Sequence, residues 1–361
     1  MNGDMVRCLS ATVIGLALIV SGCTVGQRPD SPPPAASPPS NQAGPLPADC
    51  ADRITDPEQA SDSLAQAQPG SQVCLSGDGL RDAELEMTTS GTAQQPITIV
   101  ADGATMRSLE VKADYVVIEG LTLRDGGGLT MAGRGLVARN NVIYNAANDG
   151  LVCVDCADTI IESNIVQRAD GTGIHLTGRQ ITVRNNTVSE SVARTQRDAD
   201  GIRFFGIGHR LIENTIRDIK ASGYPDEGPH TDCFQTYDTE QNPPTFDVVI
   251  AGNVCTNVDV QCLIATIDDR RAPTAPPGQT AITFVGNTCA VNGSQAVLLR
   301  NFAQVIVRDN RFSGPGDRAV QLDGASTDCT VVGNTMTGRM RPFEIDRQSE
   351  PGFQAGGNTS G

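Results

Sequence analysis

The 361-residue chain has no tryptophan, and aromatic residues make up only 4% of it. A core of any size must therefore be aliphatic. Lysine is almost missing, with only Lys112 and Lys220 present. Basic residues number 27 against 42 acidic ones, giving a net charge of −15. Such a surface argues against general affinity for nucleic acid or anionic lipid headgroups, although it leaves room for a locally basic cleft that takes an acidic sugar. No long apolar run that could span a bilayer occurs beyond the N-terminal leader. What the chain does have is a 39% hydrophobic fraction, together with 38 Gly and 21 Pro. This length suits two or three ordinary domains or one elongated solenoid, and the presence of repeats decides between them.

The first residues read as an address. Arg7 precedes a small and aliphatic run, Leu9 to Val20, which ends in Val20-Ser21-Gly22-Cys23. A short apolar region with small residues before a Cys is a secretory signal. The V-S-G-C order resembles the bacterial lipobox, which implies that Cys23 becomes the lipidated first residue. Residues 1–22 are thus expected to be a lipoprotein signal peptide. Residues 23–47 are rich in Pro, Ser, Ala and Gly and are expected to form an extended tether. The expected location is the extracytoplasmic face of a bacterial cell membrane, with lipid as the only membrane contact. Removing one Arg and one Asp with the leader leaves the charge at −15.

From residue 116 one segment recurs, aligning Leu121 with Asn141, Asn164, Asn186, Asn214, Asn253, Asn287, Asn310 and Asn334. The steps are 20, 23, 22, 28, 39, 34, 23 and 24 residues. An apolar column lies three residues before each of these positions and another two residues after. Period-2 alternation in short β-branched runs predicts strands. One such set every twenty-odd residues, with no helix-length segment between, predicts a stack of coils. Asparagines in register would form an internal amide ladder across rungs about 4.8 Å apart. The fold expected is all-β, a single-stranded right-handed parallel β-helix over residues 48–347. An N-terminal helical cap is expected around Asp56 to Ala67, and residues 348–361 are expected to be a loose tail. A second strand closes most coils, as in Asp200-Gly-Ile202 and Asp232-Cys-Phe234.

Nine of the 11 cysteines lie beyond Cys8 and Cys23. An exported domain permits disulfides. The expected bridges are Cys50 to Cys74, Cys233 to Cys262 and Cys255 to Cys289, the last two pairing equivalent positions on adjacent rungs. Cys153 and Cys156 form a C-x2-C without a second pair or a nearby His, so a metal role is the weaker reading. Cys329 falls in an inward column.

The large insertions, Ser189 to Ala199, Arg217 to Thr231, Thr239 to Phe246 and Asp268 to Thr280, fall on consecutive coils. Grouped insertions build walls over one patch of a solenoid. Outward positions of the closing strand place His175, Arg203 and Gln235 in one column, and Thr177, Phe205 and Tyr237 in the next. Asp200 and Asp232 share a position on neighbouring rungs. Paired carboxylates can act as acid and nucleophile on a glycosidic bond. They can hold Ca²⁺, the one cofactor considered, or they can cap turns by accepting backbone N–H groups. Alternatively, Arg203 or Lys220 could abstract a proton beside a uronate, with His230 or a cation neutralising charge. Asp200, His230, Asp232 and Arg203 are therefore the candidate catalytic residues, and His175, Gln235, Tyr237, Phe205 and Lys220 the candidate sugar contacts. His209, in an inward column, reads as a core residue.

Residues 64–123 include Pro69-Gly70, the S-G-T-A stretch from Ser90, the strand Pro96-Ile-Thr-Ile99 and the coil Asp114 to Leu123. They resemble the opening of right-handed β-helix proteins of the pectate-lyase-like superfamily, including those related to alginate lyases and chondroitinase B. The string His230-Thr-Asp232-Cys-Phe-Gln235 is similar to an H-x-D-x-x-Q pattern in secreted members. The resemblance implies a carbohydrate-active protein. The W-x-D-H run of pectate lyases and the R-I-K signature of polygalacturonases are absent. The expected function is cleavage or modification of a polysaccharide by a monomeric, surface-anchored lyase or hydrolase. The alternative is a non-catalytic lipoprotein that binds a glycan or a protein.

Overall fold

A computed structural model describes residues 50, 52–224, 228–238, 241–267 and 275–361. The leader, Cys23, the tether and parts of three insertions lie outside the described residues. None of the described helices is long and apolar enough to cross a membrane.

Each coil adds one strand to each of three parallel stacks. Among the described residues the first sheet holds 13 strands in sequence order, including Val116–Glu119, Thr182–Arg184 and Val248–Ala251. The second has short strands such as Val142–Tyr144, Thr187–Ser189 and Val254–Val258. The third has longer ones, including Leu151–Ala157, Thr172–Arg179, Asp200–Ile207, Asp232–Tyr237 and Gln261–Thr266. Both apolar columns read from the repeat point inward. Ile118, Val183, Leu211 and Phe284 of the first sheet and Ile143, Val188, Ile216 and Met336 of the second are all fully buried. Burial of this continuous aliphatic column holds the coils together.

The ladder forms at the turn between the first and second sheets. Asn141 Oδ1 accepts the Leu121 N–H at 2.9 Å, and each later Asn repeats that bond to the coil before it. Each Nδ2 also reaches a first-sheet carbonyl, as Asn214 does to Val183 at 3.0 Å. The residue before the ladder position is left-handed, at φ 55 for Asn140, 56 for Asn185 and 64 for Gly252. Asn and Gly tolerate that conformation best, which explains the recurring Asn-Asn and Gly-Asn pairs.

The helix spans Pro57–Gln66, and the Asp56 side chain accepts the N–H groups of Glu58 and Gln59 at 3.0 Å. Its buried face is Ala60 and Leu64. The segment expected to be a loose tail is instead part of the stack. Gln354–Gly356 pairs with Thr330–Val332, Thr359–Ser360 pairs with Thr335–Met336, and Asn358 adds a ladder rung at 3.0 Å from Asn334 N. Its Gly and Ser content disguised a coil whose pairing is carried by the backbone.

Cys50 bridges Cys74 as expected, pinning the cap, and Cys153 bridges Cys156. The expected Cys233–Cys262 and Cys255–Cys289 bridges do not form. Cys262 is bonded to Cys289, and Cys233, Cys255 and Cys329 are buried and unbridged in this structure. In-register residues of adjacent parallel strands point the same way and keep their Cβ atoms about 4.8 Å apart, beyond the ~3.8 Å that a bridge prefers. Positions that face each other across a corner of one coil meet more closely.

Candidate active site

The described insertions flank the third sheet. Those at 189–199 and 217–231 enter its strands Asp200–Ile207 and Asp232–Tyr237, while those at 239–246 and 268–280 leave its strands Asp232–Tyr237 and Gln261–Thr266. The first insertion folds back over earlier coils. Buried Asp170 accepts the Arg194 N–H at 2.6 Å and the Thr195 hydroxyl at 2.8 Å, and the Arg194 side chain donates to the Ala146 carbonyl at 2.9 Å. This places Thr195 to Asp198 as one wall of a cleft whose other lining residues are Asp149, Gly171 and Arg203.

Asp200 and Asp232, expected to meet substrate, are fully buried. Asp200 Oδ1 accepts the Asp232 N–H at 3.0 Å, and Asp232 Oδ1 accepts the Gln261 N–H at 3.1 Å. Asp149, in the same column, accepts the Thr172 N–H at 2.6 Å. The turn-capping role thus accounts for one oxygen of each carboxyl. Asp200 Oδ2 takes Arg203 Nη2 at 2.6 Å, and Asp232 Oδ2 takes Gln235 Nε2 at 3.4 Å. These oxygens face N–H donors where a cation would need further oxygens, so the pair does not fit Ca²⁺.

Arg203 is the hub of the site. Its Nη2 also binds Asp198 Oδ2 at 2.9 Å, its Nε donates to Gln235 Oε1 at 2.6 Å, and its guanidinium lies 5.7 Å from the Tyr237 ring centroid. Burial alone would lower its pKa, but Asp200 outweighs that and holds it above the usual value. It stays charged and cannot serve as a base. Arg203 and the nearly buried Gln235 therefore position Asp198.

Asp149 and His175 form the other half of the site. Asp149 Oδ2 bonds His175 Nδ1 at 2.8 Å, while His175 Nε2 is buried without a partner. Burial pushes the Asp149 carboxyl up, but the bonds from His175 and the Thr172 N–H outweigh it, and the group sits below the usual carboxylate range. Tyr237 is partly exposed. Phe205, offered as a sugar-stacking face, is buried edge-on against Tyr237 at 5.0 Å and supports it from below.

His230 is exposed in an adjoining hollow lined by Tyr224, Pro229, Arg197 and Asp198, and it pairs with Asp198 only through the backbone. Lys220 is held by Asn257 and, at 3.1 Å, by Asp259 at a different turn, outside the cleft lining. His209 is a core residue, as expected. Burial lowers its pKa to about 4, and it bonds the Phe205 carbonyl and the Ile181 N–H.

The repeat singles out neither Asp198 nor Arg197, nor Asp149 as a residue of the cleft lining. Asp149 shares its column and its following Gly with Asp200, a signal that was readable. Asp198 lies in an insertion, where no repeat fixes direction.

Burial pushes Asp200 up to about 7, and burial together with the Asp200 charge holds Asp232 well above the carboxylate range. The folded chain therefore retains protons that the unfolded chain releases near pH 4. That stabilisation is complete below pH ~4 and is lost as pH rises through about 7. Asp232→Asn should flatten this decline by removing one of the two like charges. Urea midpoints at pH 5 and 8, at constant ionic strength, test it, and identical slopes in variant and parent would refute it.

A family model described as a right-handed β-helix region matches residues 100–216. The fold is a right-handed parallel β-helix. Similar β-helices include an alginate lyase from Paenibacillus sp. strain FPU-7, 18% identical, covering 86% of this chain and 98% of that one, with TM-score 0.54. The catalytic unit of a GH87 α-1,3-glucanase from Streptomyces thermodiastaticus is 14% identical, with coverages of 88% and 70% and TM-score 0.59. The tailspike of E. coli bacteriophage HK620, solved with a pentasaccharide, is 9% identical with TM-score 0.57; 84% of this chain aligns to 61% of that one, less than two thirds of its length. No curated protein matches the sequence.

Proposed function

We propose that the protein is a polysaccharide-cleaving enzyme, a glycoside hydrolase, whose Asp149 and Asp198 flank the scissile bond in the cleft walled by Thr195 to Asp198. The observation that carries this reading is that two carboxylates line one cleft, each held by its own partner, Asp149 by His175 and Asp198 by Arg203. Two positioned carboxyl groups suffice for glycosidic hydrolysis. Asp149, held in its ionised form, suits the nucleophile or base role, and Asp198, fixed by Arg203, is the second carboxyl of the pair. Tyr237 offers the ring face for a sugar. The β-helices similar in structure are named for alginate and α-1,3-glucan cleavage or hold an oligosaccharide, which supports a glycan as ligand. The net charge of −15 and the pairing of Arg203 with two carboxylates favour a neutral glycan over a polyanion. Tethering at a cell surface through lipidated Cys23 would bring the cleft to extracellular polymer.

One observation favours elimination on an acidic glycan instead. His175 Nε2 is an unpartnered nitrogen, and His175 sits in register with the cationic Arg203 on the next strand, a base and neutraliser pair. Incubation with neutral and uronate-containing glycans separates the readings. New reducing ends without ultraviolet absorbance support hydrolysis, and unsaturated uronate supports elimination. Binding without any product would overturn both and leave a glycan-binding lipoprotein.

A further inference from the structure

We propose that Cys233 and Cys255 form a disulfide one coil before Cys262–Cys289, giving two stacked sulfur staples beneath the cleft. The third sheet pairs Asp232 with Gln261, which sets Cys233 beside Cys262, and the second sheet pairs Cys255 directly with Cys289. One coil step therefore carries the pair 233 and 255 onto the pair 262 and 289, which is bonded. The sulfurs of Cys233, Cys255 and Cys262 all lie within 4.8 Å of one another, and all four cysteines are fully buried.

Earlier coils show why these two columns meet. A Cβ placed on Gly150, Gly173 or Gly201 would collide with Val166, Val188 or Ile216 of the same coil. The small-residue column of the third sheet thus packs directly against the inward column of the second at the corner where the two sheets meet. In those coils a glycine makes room for a branched side chain. In the two later coils both positions are Cys, and the same contact becomes sulfur against sulfur.

The loops closed by the two bridges contain the insertions at 239–246 and 268–280. Covalent ties on the coils with the longest excursions hold fixed the strand that carries Asp232, Gln235 and Tyr237. Formation consumes two thiols and one external disulfide, such as oxidised glutathione or a disulfide-donor protein. A thiolate attacks the donor, and the second cysteine displaces it. One S–S bond forms, the donor's S–S bond breaks, and the donor leaves as two thiols. Burial raises the Cys233 thiol well above its usual pKa, so exchange takes place before the coils close.

The test is disulfide mapping of the full chain exported to an oxidising compartment. The protein is denatured in alkylating agent without reductant, digested, and analysed by mass. A peptide containing Cys233 linked to one containing Cys255 is expected, with Cys329 the one alkylated cysteine from the described region. The C262A/C289A variant should keep the 233–255 link, which excludes shuffling. Alkylation of both Cys233 and Cys255, a 233–262 link, or zinc or copper co-purifying with these thiols would overturn the proposal. Because the parent protein alone gives the decisive peptides, a variant that fails to fold does not weaken the result. The mapping is also independent of whether the cleft cleaves glycan.

Discussion

Asp149→Asn and Asp198→Asn should each lower the rate of polysaccharide cleavage by about 10²–10⁴-fold, the usual contribution of a positioned acid or base. Both side chains line the cleft, and both substitutions keep shape and volume. Asp198 is 30% exposed at its side chain, so its loss should leave the urea midpoint nearly unchanged. Asp149 also accepts the Thr172 N–H, a bond that Asn can keep through Oδ1. Arg203→Lys provides the contrast. A lysine cannot bond Asp198, Asp200 and Gln235 together in the guanidinium's fork geometry. The expected result is a lower kcat with a modest change in KM. Full activity in Asp149→Asn and Asp198→Asn, with the fold intact by circular dichroism, would place the chemistry elsewhere. So would a loss of activity that merely follows a loss of folded protein.

The largest stability effect should come from the ladder. Asn214→Ala removes the acceptor of the Asn186 N–H and the donor to the Val183 carbonyl, both buried. Each orphaned group costs about 1–3 kcal/mol, and the vacated volume adds to this, for a total of roughly 3–5 kcal/mol. The same change at Asn358, the partly buried final rung, should cost about 1 kcal/mol or less, because water can replace its partners. Urea denaturation of the two variants checks the contrast. Equal losses would mean that the amide ladder is not what makes the central coils depend on these asparagines.

The coil architecture was legible because a solenoid repeats its physics. Each apolar column must face the same core, and each left-handed turn must be followed by an amide that pairs with the next rung. Spacing alone therefore assigned Ile118 or Val183 to the interior and Asn141 to Asn334 to one ladder. The same regularity placed Asp200 above Asp232 and set Arg203 beside Gln235. It misled where a side chain has two oxygens and two tasks. Asp200 and Asp232 share a column with Asp149, yet in this cleft only Asp149 faces the lining.

What the sequence by itself determined is the stack, the interior columns, the cap at Asp56 and the coils that bear the insertions, because all of these follow from period and register. What only the tertiary structure decided is where the loop between Ser189 and Ala199 lies and which cysteines face one another. Asp170 anchors that loop through Arg194 and Thr195, turning Asp198 toward Arg203. No periodic constraint acts on an insertion, so its path is fixed by contacts between residues distant along the chain. The bridge from Cys262 to Cys289 likewise depends on the angle at a corner of the coil, which column spacing does not encode.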